Sequence, residues 1–359
     1  MVIASFFYGW EKLTHFHQPT ECPPLLVSVI VPMRDEENNI THLLYDLVHQ
    51  SYPSENIEII VVDDHSSDRS VEVAKSYSSN NIKVISLPED YTGKKAALNF
   101  GMKNSKGELI ITTDADCTLG NNWLRSIVSY YLQENPVMIL APVIPLCNSG
   151  SIWEKGWKEM RSLELFSLSG STAGSAGIGH PVMCNGANLA FSKAVYQDVE
   201  HIYANTKIAS GDDIFTMLEL KKKYPGRIHF LKSADASVHT SVSGNLKSFF
   251  KQRGRWAAKS RFYKDPAIIF TALIVFGTNL LMLITFIRGF MFYNFLPFFT
   301  LLTIKSLIDF LFLFRVTSFF GEKKLMTWFP IAQGVYFFYV CITILFAMII
   351  PNHWKGRSI

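Results

Sequence analysis

The sequence has no CxxC pair, and its cysteines (Cys22, Cys117, Cys147, Cys184 and Cys341) are scattered and odd in number. That argues against a disulfide framework and a cysteine-bound zinc, and it fits a reducing compartment such as the cytoplasm. The opening MVIASFFYGW lacks a basic leader, so it is not expected to act as a secretory signal. Its apolar run is also too short to span a bilayer. Charge excess is small: 34 Lys and Arg against 30 Asp and Glu leave +4, too little to suggest a nucleic-acid binder by itself.

At 359 residues the chain exceeds the usual limit for a single core, and its hydrophobic residues, 48% of the whole, are unevenly spread. From Leu25 apolar runs alternate with helical stretches. LLVSVIVP, IEIIVVDD, IKVISLP, ELIITTDAD and VMILAPVIP read as buried strands. Helices are expected over 36–50, from about Asp68, over 95–104 and over 121–134. This predicts an α/β domain, a Rossmann-like, mostly parallel sheet with helices on both faces. Ile152 to Ser169 reads as a helix, followed by SGSTAGSAGIGHP as a mobile loop over a cleft. GDDIFTMLELKKKYPG opens on acids and closes on lysines and Pro-Gly, which signals another helix.

From Ala267 nearly everything is apolar, in runs over Ala267–Ile287, near Phe290–Phe314 and over Phe329–Ile350. The first and last are long enough to cross about 30 Å of hydrocarbon. The middle one, as one long span or two short ones, holds Lys305 and Asp309 at a spacing that allows pairing. Before them, LKSFFKQRGRWAAKSRFYKDP has an apolar face ringed by Lys and Arg, the pattern of a helix lying in the membrane interface. The division expected is an N-terminal segment 1–24, a soluble domain 25–244, an interface helix 245–265, a transmembrane region 266–351 of about three helices, and a basic tail 352–359. The basic cluster before Ala267 places the soluble domain on the cytoplasmic side of the cell (inner) membrane, in a multi-pass protein. With three spans the basic tail would lie outside, against the same rule.

Strands one, two and four end in VPMRDEEN, VVDDHSSD and TTDADC. In open α/β sheets the carboxyl ends of strands hold the ligand, so these acids converge on one edge. Asp68 is expected to cap a helix. Asp114-Ala115-Asp116 would be a repulsive pair alone, and a divalent cation explains it best. Hard carboxylate ligands suit Mg2+ or Mn2+, which fill their remaining positions with phosphate oxygens and water.

VSVIVPMRDEENNI, IIVVDDHSSD, GKKAALNFG, TTDADC, GDD and QRGRW occur here in the order seen in glycosyltransferase family 2, and over about Leu25–Lys264 the chain resembles that family. Gln252-Arg253-Gly254-Arg255-Trp256 is similar to the Q-x-x-R-W motif of its membrane-bound branch. The resemblance implies a GT-A fold and an inverting transfer from a nucleotide diphosphate sugar, most often a UDP-sugar. It implies that Asp63 and Asp64 contact base and ribose, with Glu36 or Glu37 nearby in the nucleotide-sugar site and Lys94 near the nucleotide. Asp116 would bind the metal, with Asp114 near ribose or metal. Gln252, Arg255 and Trp256 would share a helical face, Arg255 holding the diphosphate and Trp256 serving the acceptor. Asp213 would be the base. The family pattern there is Thr-Glu-Asp, whereas this chain has Gly211-Asp212-Asp213, which weakens the parallel for Asp212 as its support. CNGANLAF is similar to the acceptor-side segment and implies roles for Asn185, Gly186 and Asn188. His180 and His239 have no counterpart in the motifs and read as structural or loop residues, with His239 also a possible neighbour of the metal. The acceptor implied is a lipid, since the terminal HWKGR resembles small bacterial members that glycosylate lipids or carotenoids. A processive synthase of the cellulose, chitin or hyaluronan type is the alternative. A nucleotidyltransferase and a non-catalytic nucleotide-sugar sensor are more distant ones.

Overall fold

The computed structural model describes residues 1–77, 81–146, 152–204, 211–242, 249, 252–254, 256, 262–349, 353–354 and 357–358. The chain divides into two compact units. One comprises 12–146 and 183–241; the other comprises 1–11, 147–182 and 242–359.

The first unit contains β1 (Val27–Met33), β2 (Ile57–Asp63), β3 (Ile82–Ser86), β4 (Leu109–Thr112), β5 (Cys117–Leu119), β6 (Met138–Leu140), β7 (Val143–Leu146), β8 (Leu189–Ser192), β9 (Ile228–Phe230) and β10 (Val238–Ser241). Seven of them form one sheet in the order β3-β2-β1-β4-β8-β6-β9, and β5-β10-β7 form a second. β1 is flanked by β2 and β4, parallel to both. Its Val27, Val29, Ile30 and Val31 have no exposed surface, as expected of a central strand covered on both faces. Only β8 departs from the parallel pattern within this sheet, pairing antiparallel with both β4 and β6. The helices are α2 (Ile40–Val48), α3 (Ser70–Ser76), α4 (Lys94–Lys103), α5 (Trp123–Glu134), α7 (Tyr196–Ala204) and α8 (Asp212–Lys223).

Two expected strands are broken. VMILAPVIP splits at Ala141-Pro142 into β6 and β7, which belong to different sheets. Proline brings no N–H to a ladder, and the Pro142 carbonyl accepts from Val238 N at 2.9 Å. ELIITTDAD likewise ends as a strand at Thr112. Asp114, Ala115 and Asp116 form a turn closed by Cys117 N–H to Asp114 O at 3.1 Å, and β5 then starts in the second sheet. The acidic pair therefore sits where the chain crosses from one sheet to the other.

The second unit contains α1 (Val2–Lys12), α6 (Ile152–Gly177), α9 (Pro266–Phe292), α10 (Leu296–Phe319) and α11 (Phe329–Ile349). Three segments, Pro266–Phe292, Leu296–Phe319 and Lys323–Thr343, are long and apolar enough to cross a membrane, and the middle run is one continuous helix rather than two short ones. Asp265 caps α9, accepting from the N–H groups of Ala267 and Ile268 at 3.0 and 3.1 Å, with Pro266 in the first turn. The expected mobile loop at SGSTAGSAGIGHP is instead the last turns of α6 as far as Gly177. Its glycines are packing devices. A Cβ on Gly174 would strike the Phe6 carbonyl, and one on Gly9 would strike the Gly174 carbonyl. Small residues let two helix backbones touch, as in membrane helix pairs. Most of the expected interface helix lies outside the described residues; Gln252, Arg253, Gly254 and Trp256 are helical.

Candidate active site

The loops after β1 and β2 lock together. Asp35 and His65 adopt left-handed backbones, φ 49° and 55°. Asp35 donates its N–H to Ser66 Oγ at 3.0 Å and accepts from Ser67 N at 2.7 Å. The Ser67 bond holds the Asp35 carboxyl below the usual carboxylate range. Asp68 accepts from Ser70 N at 2.9 Å and from Glu37 N at 3.2 Å, so it closes the start of α3. Glu37 turns the same way and accepts from Arg69 N at 3.0 Å. The charge of Glu36 bears on Asp116.

Asp63 and Asp64, at the end of β2, are both buried. Asp63 accepts from Ser66 N at 3.2 Å. Asp64 lies 3.6 Å from the Arg34 guanidinium. The sequence reading passed over Arg34; the available signal was a cation directly after one central strand, beside a strand ending in two acids.

Lys94 is the first residue of α4, after Gly93 at φ 96°. Its Nζ meets Asp114 Oδ1 at 2.5 Å. Asp116 is exposed as a residue, yet protein packs closely around its carboxylate. That desolvation, then the charges of Asp114 and Glu36, push its acid up to about 6 against the opposing pull of Lys94. Here negative charge exceeds what one lysine neutralises. Among the described residues no cluster of three or more His, Cys, Asp or Glu side chains forms a cation cage. Asp114 and Asp116 are two hard ligands short of positive charge. That donor set fits Mg2+ or Mn2+ completed by phosphate and water.

Gly186 joins this cluster to α8. Its carbonyl accepts from Thr112 Oγ1, at the end of β4, at 2.9 Å. Its N–H donates to Asp213 Oδ2 at 3.2 Å, while Asp213 Oδ1 accepts from Ile214 N at 2.8 Å. A Cβ built on Gly186 would stand 3.6 Å from Asp213 Oδ2 and 3.7 Å from Lys94 Nζ. Lys94, Asp114, Gly186 and Asp213 therefore meet, though they lie far apart in the chain. Gly211, which caps α8, has φ 95°. That backbone favours glycine and accounts for the missing threonine of the family pattern. The side chain of Asp212 lies outside the described residues.

The remaining expectations divide. Asn185 makes a local turn, accepting from Ala187 N at 3.1 Å. Asn188 is not an acceptor-side group. It is fully buried, donating to Pro142 O at 2.7 Å and Ala236 O at 2.8 Å while accepting from Trp123 Nε1 at 3.1 Å. All three partners belong to the scaffold, so nothing of its amide faces a ligand. His239 lies on β10 opposite Thr118 of β5, two residues beyond Asp116. His180 follows α6 and bonds Ser175 O through its backbone.

Gln252 and Trp256 belong to the other compact unit, and Arg255 lies outside the described residues. In that unit Arg253, expected among the surface cations, is buried. Its guanidinium makes two bonds to Glu164, at 2.9 and 2.7 Å, and lies 4.0 Å from the centre of the Trp256 ring.

Residues 28–198 match the family model described as Glycosyl transferase family 2. Over 105 residues the chain is 34% identical to Glycosyltransferase AglE of Haloferax volcanii, covering 29% of this chain and 34% of that protein. Over 114 residues it is 30% identical to poly(ribitol-phosphate) beta-N-acetylglucosaminyltransferase TarS of Staphylococcus aureus, covering 32% and 20%. Over 164 residues it is 28% identical to beta-monoglucosyldiacylglycerol synthase of Trichormus variabilis, covering 44% and 35%. The matches thus span between a fifth and about a third of those proteins' lengths. Among solved structures, the mannosyltransferase PcManGT from Pyrobaculum calidifontis, in complex with GDP-Man and Mn2+, superposes with a TM-score of 0.54 at 16% identity, covering 95% of this chain and 94% of that one. The likeness is one of fold: α/β of the GT-A type, accompanied here by three apolar helices.

Proposed function

We propose that this chain, whose residues 28–198 form a glycosyl transferase family 2 domain, is a membrane-anchored inverting glycosyltransferase. It moves a sugar from a nucleotide diphosphate sugar, a UDP-sugar, to a hydroxyl of a lipid. The observation that carries the reading is the meeting of Lys94, Asp114, Gly186 and Asp213 beside Asp116.

Inversion needs a proton acceptor on the side of the sugar away from the leaving diphosphate. Asp213 takes that role. The N–H groups of Gly186 and Ile214 hold one carboxylate oxygen each, which fixes the carboxylate's direction before substrate arrives. Asp212 supports it from the same helix start. Asp63, Asp64 and Glu36 receive base and ribose, and Lys94 balances charge between Asp114 and the phosphates. Asp116 and Asp114 would hold a Mg2+ or Mn2+ ion, which would supply positive charge to balance the departing diphosphate. On the family resemblance alone, Gln252 and Arg255 are assigned to the donor's diphosphate and Trp256 to the acceptor, for which it offers a flat apolar face. The three apolar helices anchor the catalytic domain on the cytoplasmic side of the membrane.

The test is direct. Purified protein in lipid is offered a panel of labelled nucleotide sugars with Mg2+ or Mn2+, and the products are extracted. Label in a lipid fraction supports the reading. Label in a long water-soluble polymer points to a processive synthase. Pyrophosphate release points to nucleotidyl transfer and rejects it.

A further inference from the structure

The Q-x-x-R-W motif leaves position 253 open, yet this chain buries an arginine there. The side chains of Arg253 and of Glu164, on α6, are only 7% and 15% exposed. They meet as a two-pronged fork, Nε to Oε1 at 2.9 Å and Nη2 to Oε2 at 2.7 Å. Tyr339 Oη, on α11, donates to the same Oε1 at 2.7 Å. A fork of this kind fixes the plane of the guanidinium as well as its place.

The fixed guanidinium lies over the Trp256 ring, three residues further on, with its carbon 4.0 Å from the ring centre. It also lies 5.2 Å from the centre of the Phe249 ring. Trp256 is nevertheless 36% exposed. A partly exposed ring of this kind is ordinarily free to turn; here a cation held by two other helices lies against it.

Stability alone does not account for the pair. Removing two ions from water costs about what their attraction returns, and apolar side chains of similar size hold helices together equally well. What the fork adds is direction. α6, α11 and the Q-x-x-R-W segment, all in one compact unit, converge on it, and the group they hold keeps surface open to a ligand.

We infer that Glu164 is a positioning residue: through Arg253 it fixes the Trp256 ring in the orientation that receives the lipid acceptor. That Trp256 receives the acceptor rests on the proposed function; that Glu164 holds the ring does not.

The test uses the full chain in phosphatidylcholine nanodiscs, labelled with fluorotryptophan. The fluorine NMR line of Trp256 is assigned by its loss in Trp256→Phe. Glu164→Gln should move that line, and adding it to Arg253→Met should move the line no further than Arg253→Met does alone, as groups acting through one contact require. Total lipid extract of the source cells, added at graded mole fraction, serves as acceptor with the nucleotide sugar that labels lipid. Below the melting range Glu164→Gln should raise the half-saturating fraction about tenfold, the scale of one charged hydrogen bond, with KM for the nucleotide sugar unchanged. Tyr339→Phe, which removes only the Oη bond, should act in the same direction and less. Glu164→Leu with Arg253→Met replaces the ions by packing, so it should melt near the unmodified chain and still show both defects. An unmoved Trp256 line in folded Glu164→Gln, or normal half-saturation in the apolar double variant, overturns the inference. If Glu164→Gln fails to fold, Tyr339→Phe and the apolar double variant decide. A moved line with no lipid labelled by the unmodified chain would count against the proposed function only; lipid labelling with an unmoved line would count against Glu164 only.

Discussion

The backbone N–H of Gly186 holds the Asp213 carboxylate at 3.2 Å, and the carbonyl of the same glycine is held by Thr112. One residue thus ties the start of α8 to the end of β4. Lys94 reaches the same space: a Cβ built on Gly186 would touch Asp213 and Lys94 at ordinary van der Waals distance.

Asp213→Asn keeps the shape and removes the base. Nucleotide binding should be retained, while turnover falls by about 10²–10⁴-fold, the usual contribution of a positioned general base. Binding by calorimetry and transfer rate on the same preparation separate the two. Normal transfer by the variant would remove Asp213 from the role.

Asp116 sets a pH dependence. Its acid, about 6 when folded, lies above the 3.8 of an ordinary Asp. Between those values the folded chain holds the proton that the unfolded chain releases. Asp116's contribution to stability is therefore full below 3.8 and is lost as pH rises through about 6. A divalent cation competes with the same proton, so its affinity should climb with pH up to about 6 and then level. Mn2+ titrations from pH 5 to 8 check this (roughly one proton released per ion at the acid end). In Asp116→Asn the binding should be weak at every pH.

Asn188→Ala should cost about 3 kcal/mol, because it leaves the Pro142 and Ala236 carbonyls and the Trp123 indole N–H without partners in the core. Thermal melting reads the loss. Below the melting range KM for the acceptor should be unchanged; a raised KM with an unchanged melt would return Asn188 to the acceptor side.

Gly174→Val should push α1 off α6, since even a Cβ there collides with the Phe6 carbonyl. The expected loss is about 1–3 kcal/mol, as for overpacked cores. Gly277→Ala on α9, where a Cβ meets open space, is the control and should be neutral or slightly stabilising. Melting in detergent micelles compares the two.

Much was legible in the residue order. Runs such as IEIIVVDD and Ala267–Ile287 are apolar enough that only a buried strand or a spanning helix accommodates them, and acids at strand ends mark the ligand edge. Asp116 lies at the end of such a run, whereas Asp213, at a helix start, was pointed to by the family resemblance of GDD. The misses share one cause. SGSTAGSAGIGHP looked mobile because small residues have weak local preference; its helix exists because Phe6 and Gly9, far away in sequence, need the room. Asn188 resembled a site residue because its motif neighbours are at the site, yet one residue type serves a ligand or a core carbonyl equally well.

The sequence by itself determined the periodicity of strands and helices, the apolar lengths and the types of chemical group present, because these depend on local residue order and side-chain chemistry. Tertiary structure decided which groups meet. Lys94 on Asp114, Gly186 on Asp213 and Arg253 on Glu164 all follow from chain crossings and helix contacts. Distances across such crossings are set by packing of the whole fold, and no local pattern encodes them.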